Sequence, residues 1–414
     1  VISKIYISME NFWELLDKKK INYYFENNKI IINSNLNLKK KIKVLPDNLF
    51  INGDLNLSET KIQKIPENLV VTGSLNLSFS DIQVLPDNFL IGGDLDLAGS
   101  KIKILPKNLS VKGNLNLTGT LINELPENLY VGGDLSLTSA YYIQTLPKDL
   151  SINGNLDLAY SAVKVLPDNF SVGNNLDLTY SELEVLPDNL SVGGDLNLAN
   201  TKINTLPRNL LIGGNLNLIN SEINKLSENL SIGGDLDLSN SDIQALPENL
   251  SIGGDLDLRY TNIRELPKKI CINGSLNLRG TDIRSLPDNL SIGKNLSLAK
   301  TQIQLLPENL FVGKYLNIES TQVTLLPQNL SVGSGIYLDI DKIQNIVYRE
   351  NSKDNSKIIF ACWVNRMFSI QTVGFFGSLE SFEKMVDEKY SDEIAVIYKK
   401  LAKECVDELA KKLN

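Results

Sequence analysis

The dipeptide Leu-Pro returns every 20 residues: at Leu45-Pro46, Leu85-Pro86, Leu105-Pro106 and Leu125-Pro126, then after one 21-residue step across Tyr141-Tyr142 at Leu146-Pro147, and onward to Leu326-Pro327. Ile65-Pro66 fills one slot and Leu226-Ser227 another, and all 14 prolines of the chain stand at this single repeat position. A strict period of this size leaves few foldings open. One unit is too short to bury an apolar face by itself, so successive units must stack and share a core, and the chain grows along one axis. Length alone, 414 residues, would have suggested about two or three separate domains.

A typical unit runs from Leu246 to Ile263 and generalises to LPxNLxVGGxLxLxxTxI. Within it Asp255-Leu256-Asp257-Leu258 alternates polar and apolar residues, the signature of a strand with one buried face. Leu250, Ile252, Ile263 and Leu266 are expected to close the coil around the same core. A second short strand is expected through Leu250-Ser251-Ile252. The pair Gly253-Gly254 suits a bend needing positive φ. Pro247 suits a corner where no ladder hydrogen bond is required. The recurring Asn249 and the Ser/Thr at the Thr261 position are expected to satisfy backbone groups at buried turns.

This pattern resembles the leucine-rich-repeat family, and particularly its short bacterial forms built on Leu-Pro. The strand core LxLxx(T/S)xI stands where that family has LxLxxNxL, with Ser or Thr in place of Asn and with VGG ahead of the strand where a Leu is expected. The resemblance covers residues ~33 to ~340 and implies a parallel β-rich solenoid of about 15 coils, partly β-helical in character. It implies no single activity.

Solenoids need caps at their ends. Residues 1–32 are expected to form the first cap: Met9 to Lys20 reads as an amphipathic helix that buries Phe12, Trp13, Leu15 and Leu16, and Asn22 to Asn33 as a strand or two. Residues 33–340 form the solenoid and the polar stretch 341–357 a linker. Residues 358–414 form a small α/β module, with strands at Ile358–Val364 and Met367–Ile370 and helices over Leu379–Tyr390 and Ser391–Leu413. The last helix carries an apolar stripe of Ile394, Ile397, Leu401, Cys405 and Leu409. The run Gly377-Ser378-Leu379-Glu380-Ser381-Phe382-Glu383-Lys384-Met385-Val386, following Cys362-Trp363, resembles a small C-terminal module common on repeat proteins of bacteria, phages and prophages. That resemblance implies such a source and assigns no role.

Catalytic chemistry has little to work with. The chain contains no histidine, which removes the usual general base near neutral pH and the commonest metal ligand. Its 3 cysteines, Cys271, Cys362 and Cys405, are far apart and give neither a disulfide framework nor zinc spacing. No phosphate-binding GxxxxGK(S/T), HExxH or CxxC occurs. Cys405-Val406-Asp407 matches the Cys-x-Asp of a ubiquitin-ligase domain that follows Leu-Pro repeats in some secreted bacterial effectors, but Cys405 falls on an apolar helix stripe and reads as core. No cofactor is expected and the chain is read as a non-enzyme. The first residues, Val1-Ile2-Ser3-Lys4, lack a signal peptide's layout, and no apolar run reaches the ~18 residues of a membrane span. A cytoplasmic, monomeric protein with no membrane partner is the expectation.

Outward-facing positions carry the functional reading. Asp235 and Asp255 at the first strand position, and Asp157, Asp177, Asp237 and Asp257 two residues on, should line one face as polar columns. Tyr160, Tyr180 and Tyr260 recur just past the strand, and Arg259 and Arg279 neighbour them. With a formal net charge of −8, these columns and the tyrosine cluster read as a docking strip for a basic protein partner. A host nuclease or other defence protein is one such partner, the chain then acting as an inhibitor of anti-CRISPR type. Two alternatives stand beside it. One is a nucleic-acid-binding solenoid using Arg259, Arg279, Lys300 and the run Lys39-Lys40-Lys41-Lys43, which the net charge opposes. The other is a secreted effector with a catalytic C-terminal module.

Overall fold

A computed structural model describes residues 12–87, 89–351 and 357–413. The chain is a parallel β-solenoid of about 15 turns, and it divides into two compact units, Val1–Asn217 and Leu218–Asn414.

In the first unit a typical coil contributes two short strands, as in Ser171–Val172 and Leu176–Asp177, and at Ile152 the first of them shrinks to a single bridge. Equivalent residues of consecutive coils pair in parallel: Leu156 with Leu176 and Leu176 with Leu196 in one ladder, Val172 with Val192 in the other. The alternation explains which residues turn inward. Val172, Leu176, Leu178, Leu183, Leu186 and Leu190 are buried, while Asp177 between two leucines keeps one face to solvent. Backbone groups are consumed between coils, the Leu176 and Leu178 amides donating to the Asp195 and Asn197 carbonyls at 2.9 and 2.8 Å. The 21-residue step does not disturb the register. Leu135 pairs with Leu156, and the extra residue is absorbed in the turn, where Tyr141 and Tyr142 stand exposed.

The glycine pair works differently from the sequence expectation. Positive φ falls on the residue after the strand and on the Asn of LPxN, as at Tyr160 (56°), Tyr180 (55°), Asn200 (57°), Gly119 (61°) and Asn189 (56°), and not on Gly193-Gly194 or Gly253-Gly254. Glycine is present because the coils approach closely: a Cβ on Gly193 would lie 2.0 Å from the Gly173 carbonyl oxygen, and one on Gly214 2.2 Å from Asp195 Oδ1.

The Asn column is also corrected. It is exposed, and its amides bond one another from coil to coil, Asn189 Nδ2 to Asn169 Oδ1 at 2.9 Å and Asn209 Nδ2 to Asn189 Oδ1 at 3.0 Å. The Ser/Thr column is the buried one. Thr201 Oγ1 donates to the Leu198 carbonyl at 2.7 Å, Thr60 does the same to Leu57 at 2.6 Å, and both hydroxyls thereby tie down the turn that follows the strand.

At the N-terminal end Met9 to Asn11 lie outside the described residues, and residues 12–18 are helical. Phe12 and Leu16 are buried; Trp13 and Leu15 are half-buried, Trp13 stacking near Tyr23 at 5.0 Å. A hairpin of Tyr24–Glu26 and Lys29–Ile32 follows. Its second strand lies parallel to Leu49–Ile51 and so begins the ladder.

The second unit repeats the coil through Leu236–Asp237, Leu256–Asp257, Leu276–Asn277, Leu296–Ser297, Tyr315–Asn317 and Gly335–Tyr337, with Ser251–Ile252 as a second short strand. It ends in a four-stranded antiparallel sheet in the order Ile346–Asn351, Lys357–Val364, Met367–Thr372, Phe375–Ser378, followed by helices Leu379–Lys389 and Asp392–Leu413. The stretch 341–357, read from sequence as a linker, therefore contributes a strand. Its β-branched Ile346 and Val347 are buried and pair with Cys362 and Ala361, which polar composition averaged over the segment concealed. In the last helix the buried stripe is Ala395, Tyr398, Ala402, Cys405 and Leu409, and Ile394, Ile397 and Leu401 are only half-buried. The small Ala395 and Ala402 share the packed core with Tyr398 and Leu409, and Ile394 and Leu401 flank it.

An ending solenoid leaves unpaired amides and carbonyls along its last coil, a template for unwanted strand pairing. Three carboxamides stand in for the missing coil. Gln371 accepts from the Ile336 amide at 2.8 Å and donates to its carbonyl at 2.7 Å. Asn365 does the same for Val332 at 3.0 and 2.8 Å, and Asn345 for Leu326 at 2.9 and 2.8 Å. Each side chain reproduces the donor and acceptor that a next coil would have offered.

Candidate docking surface

The acidic columns turn out to be bonded into the scaffold. At the first strand position each carboxylate caps the amide of the next coil: Asp235 Oδ1 accepts from Asp255 N at 2.7 Å, and Asp255 Oδ1 from Ser275 N at 2.8 Å. At the second position each carboxylate accepts from the amide two residues on, Asp157 from Ala159 at 2.9 Å, Asp177 from Thr179 at 2.8 Å, Asp237 from Ser239 at 2.9 Å and Asp257 from Arg259 at 2.9 Å. One oxygen per residue is thus committed, and neutral Asn or Ser does the same work in other coils, as at Asn175 and Asn197. Among the described residues no group of three or more acids and cysteines is placed to hold a metal ion.

The cations are largely committed too. Arg259 Nε pairs with Asp257 at 2.8 Å, and that bond raises the arginine's pKa further. Arg279 Nε donates to the Tyr260 hydroxyl at 3.2 Å. The phenol's pKa is lowered, first by this bond and then by the charges of Arg279, Lys300 and Arg259. Lys294 reaches Asp255 at 3.3 Å. Partial burial works to raise the Asp255 carboxyl, but the Ser275 amide and the Lys294 ammonium outweigh it and hold it below the usual carboxylate range. Lys39 and Lys40 share one carboxylate, Glu59, at 2.7 Å each, which offsets only part of the basic run's charge. Cys405 is packed in the module's core, where burial pushes its thiol up to about 11, and burial holds Cys362 at about 12. Neither carries a thiolate nucleophile at neutral pH.

The tyrosines behave otherwise. Tyr160 and Tyr180 occupy the left-handed position after the strand, which in other coils holds Asn200 and Asn220, Gly99 and Gly119, or Lys40, Glu59, Ser139, Lys300 and Ser320. A bulky residue there costs about 1–2 kcal/mol relative to glycine. Nothing in the core repays it, since each ring is 50% exposed. The two rings stack on each other, centroids 4.9 Å apart and planes 14° from parallel. Phe79 and Tyr260 sit at the same position, but each lies over a glycine of the following coil, Gly99 and Gly280, and Tyr260 lies in the second unit.

Beside the stacked pair, within the first unit, runs a groove of about 1040 Å³ floored by Val165, Val185 and Tyr180 and edged by Asp168, Glu182, Glu184, Asp188, Lys164 and Lys202. Val165 and Val185 are 59% and 68% exposed. Lys164 is paired with Glu182 at 3.7 Å, so the rim keeps a net negative charge. Sequence reasoning missed these valines. They stand directly before Leu-Pro, a position that is polar at Thr205, Lys225 and Ser285 but also apolar and exposed at Val84, Ile104, Leu305 and Leu325, so the sequence alone does not single them out.

No protein-family model matches the chain, and no curated protein is significantly similar to it. Solved structures with some likeness include YopM from Yersinia enterocolitica, 18% identical over 82% of this chain and 91% of that one with a TM-score of 0.41. A leucine-rich-repeat protein of Leptospira interrogans is 21% identical over 70% and 90%, TM-score 0.39. YopM from Yersinia pestis, described as a leucine-rich effector protein, is 16% identical over 80% and 92%, TM-score 0.38. The register of the chain's own strands is what makes it a parallel β-solenoid of leucine-rich turns.

Proposed function

We propose that the chain is a protein-binding scaffold whose docking site is the stacked Tyr160–Tyr180 corner with its neighbouring groove. One observation carries this reading: two adjacent coils place half-exposed tyrosines outside the core, stacked on each other with centroids 4.9 Å apart. An aromatic pair that the core does not require, held at the surface of a rigid scaffold, suits a contact with a partner. Tyrosine offers large contact area at little entropic cost and is enriched where binding energy concentrates. The apolar floor and acidic rim of the groove fit a partner segment that presents aliphatic side chains flanked by Lys or Arg.

Asp157 and Asp177 support this site by fixing the turns ahead of the tyrosines. Asp235, Asp237, Asp255, Asp257, Arg259 and Arg279 belong to the scaffold of the second unit in this proposal. Inhibition of a defence enzyme, and a phage or prophage source, are narrower forms of the same reading; they require the captured partner to be such an enzyme. The test is differential capture. Immobilised wild-type chain and a Tyr160→Ser/Tyr180→Ser variant are exposed to extract from the cells that express the protein, and bound proteins are quantified. A protein retained by the wild type and lost from the variant is expected. Equal retention by both, or retention of nucleic acid alone, contradicts the proposal.

A further inference from the structure

We propose that a pocket in the second unit, between its last coils and the hairpin Met367–Thr372 and Phe375–Ser378, binds a small quaternary-ammonium cation. The pocket encloses about 650 Å³, within the roughly 300–1,000 Å³ usual for small-ligand sites. Tyr315, Tyr337, Phe375 and Phe376 line it together with Gln371 and Glu319.

The sequence marks the place. At the first strand position the coils of this unit carry Asp235, Asp255, Ser275 and Asn295, then Tyr315; at the second they carry Asp237, Asp257, Asn277, Ser297 and Asn317, then Tyr337. Aromatic residues enter these two columns only where the pocket lies. Core packing does not account for them, because the two rings are 43% and 50% exposed. Their centroids are 5.7 Å apart with planes 39° off parallel, an open wedge. Phe375 is steadied by an edge contact to Phe382 at 5.2 Å.

The polar groups select the ligand. Among the described lining residues Glu319 is the one carboxylate, and none is Lys or Arg. Glu319 is bonded by the neutral Asn317 amide at 3.1 Å and keeps its charge available. Gln371 is occupied by both of its bonds to Ile336. Aromatic faces and one carboxylate favour a cation. A Lys ammonium or an Arg guanidinium brings three to five donors that need acceptors, and Glu319 is the one charged acceptor among the described lining residues. A quaternary ammonium has no donor to satisfy, and its methyl groups suit aromatic walls.

The full chain is titrated with choline and with its uncharged isostere, in which a quaternary carbon replaces the nitrogen. Choline is expected to bind saturably with a Kd on the order of 1 mM or tighter, and the isostere at least about fivefold more weakly. Glu319→Gln and Tyr337→Leu, both at exposed positions, are each expected to weaken choline binding by about three- to thirtyfold with the thermal melt unchanged. Isostere binding equal to choline, absence of saturation, or affinity untouched by both substitutions overturns the assignment. Vesicles of phosphatidylcholine and a trimethyl-lysine peptide are run alongside. Preference for either over free choline overturns the small-molecule form of the proposal.

Discussion

Replacing Asp195 separates the two roles that a column of carboxylates could have. Asp195 Oδ1 accepts the Asn215 amide at 2.7 Å, and its neighbours in the column, Asn175 and Asn215, are neutral, so repulsion does not blur the result. Asp195→Ala removes this charged acceptor from the Asn215 amide. A hydrogen bond to a charged acceptor is worth about 1.5–3 kcal/mol when sheltered, and partial exposure brings the expected loss to about 1–2 kcal/mol. Asp195→Asn keeps an acceptor in place, as Asn175 Oδ1 does for the Asp195 amide at 2.8 Å, and is expected to cost less than about 0.5 kcal/mol. Urea unfolding followed by circular dichroism measures both variants, and affinity for the captured partner is measured beside them. An Asn variant as unstable as the Ala variant would mean that charge, not hydrogen bonding, matters at this position. An Asn variant of full stability that has lost the partner would return the acidic columns to the binding surface.

Three further outcomes follow from the geometry. Thr201→Ala removes the hydroxyl bonded to the Leu198 carbonyl and is expected to cost about 1 kcal/mol, whereas Ser181→Ala, whose buried hydroxyl has no hydrogen-bond partner, should be neutral or stabilising in the same urea experiment. Asp255 has a folded pKa below its unfolded one, so its contribution is present above the unfolded value, near pH 4, and disappears as pH falls through the folded value; Lys294→Met should shrink that acid-side loss in melts recorded from neutral pH downward. Substituting Asn345, Asn365 and Gln371 together by Ala uncovers the last coil's edges, and light scattering should then show concentration-dependent self-association that the wild type lacks.

The coil was legible because its information is periodic. One buried leucine column implies the next, and the Leu-Pro spacing alone sets the number of turns. What the sequence hid was the reason for each residue. Gly193-Gly194 looks like a bend requiring positive φ, yet the glycines make room for a neighbouring carbonyl, a constraint that exists only once coils are stacked. Asp235 and Asp255 look like a charged face, yet each caps an amide 20 residues away, a bond that local pattern cannot show. Tyr160 and Tyr180 were visible as a recurrence. Their left-handed backbone, which turns the recurrence into a cost, was not. The strand Ile346–Asn351 escaped because it lies in a polar context and finds its partner only in Lys357–Val364.

Radical footprinting of the chain with its captured partner tests the docking surface most directly. Protection concentrated on Tyr160, Val165, Tyr180 and Val185, with the second-unit residues Asp237 and Asp257 unchanged, is the expected result. Protection of the Asp columns with both tyrosines still open to oxidation would contradict it.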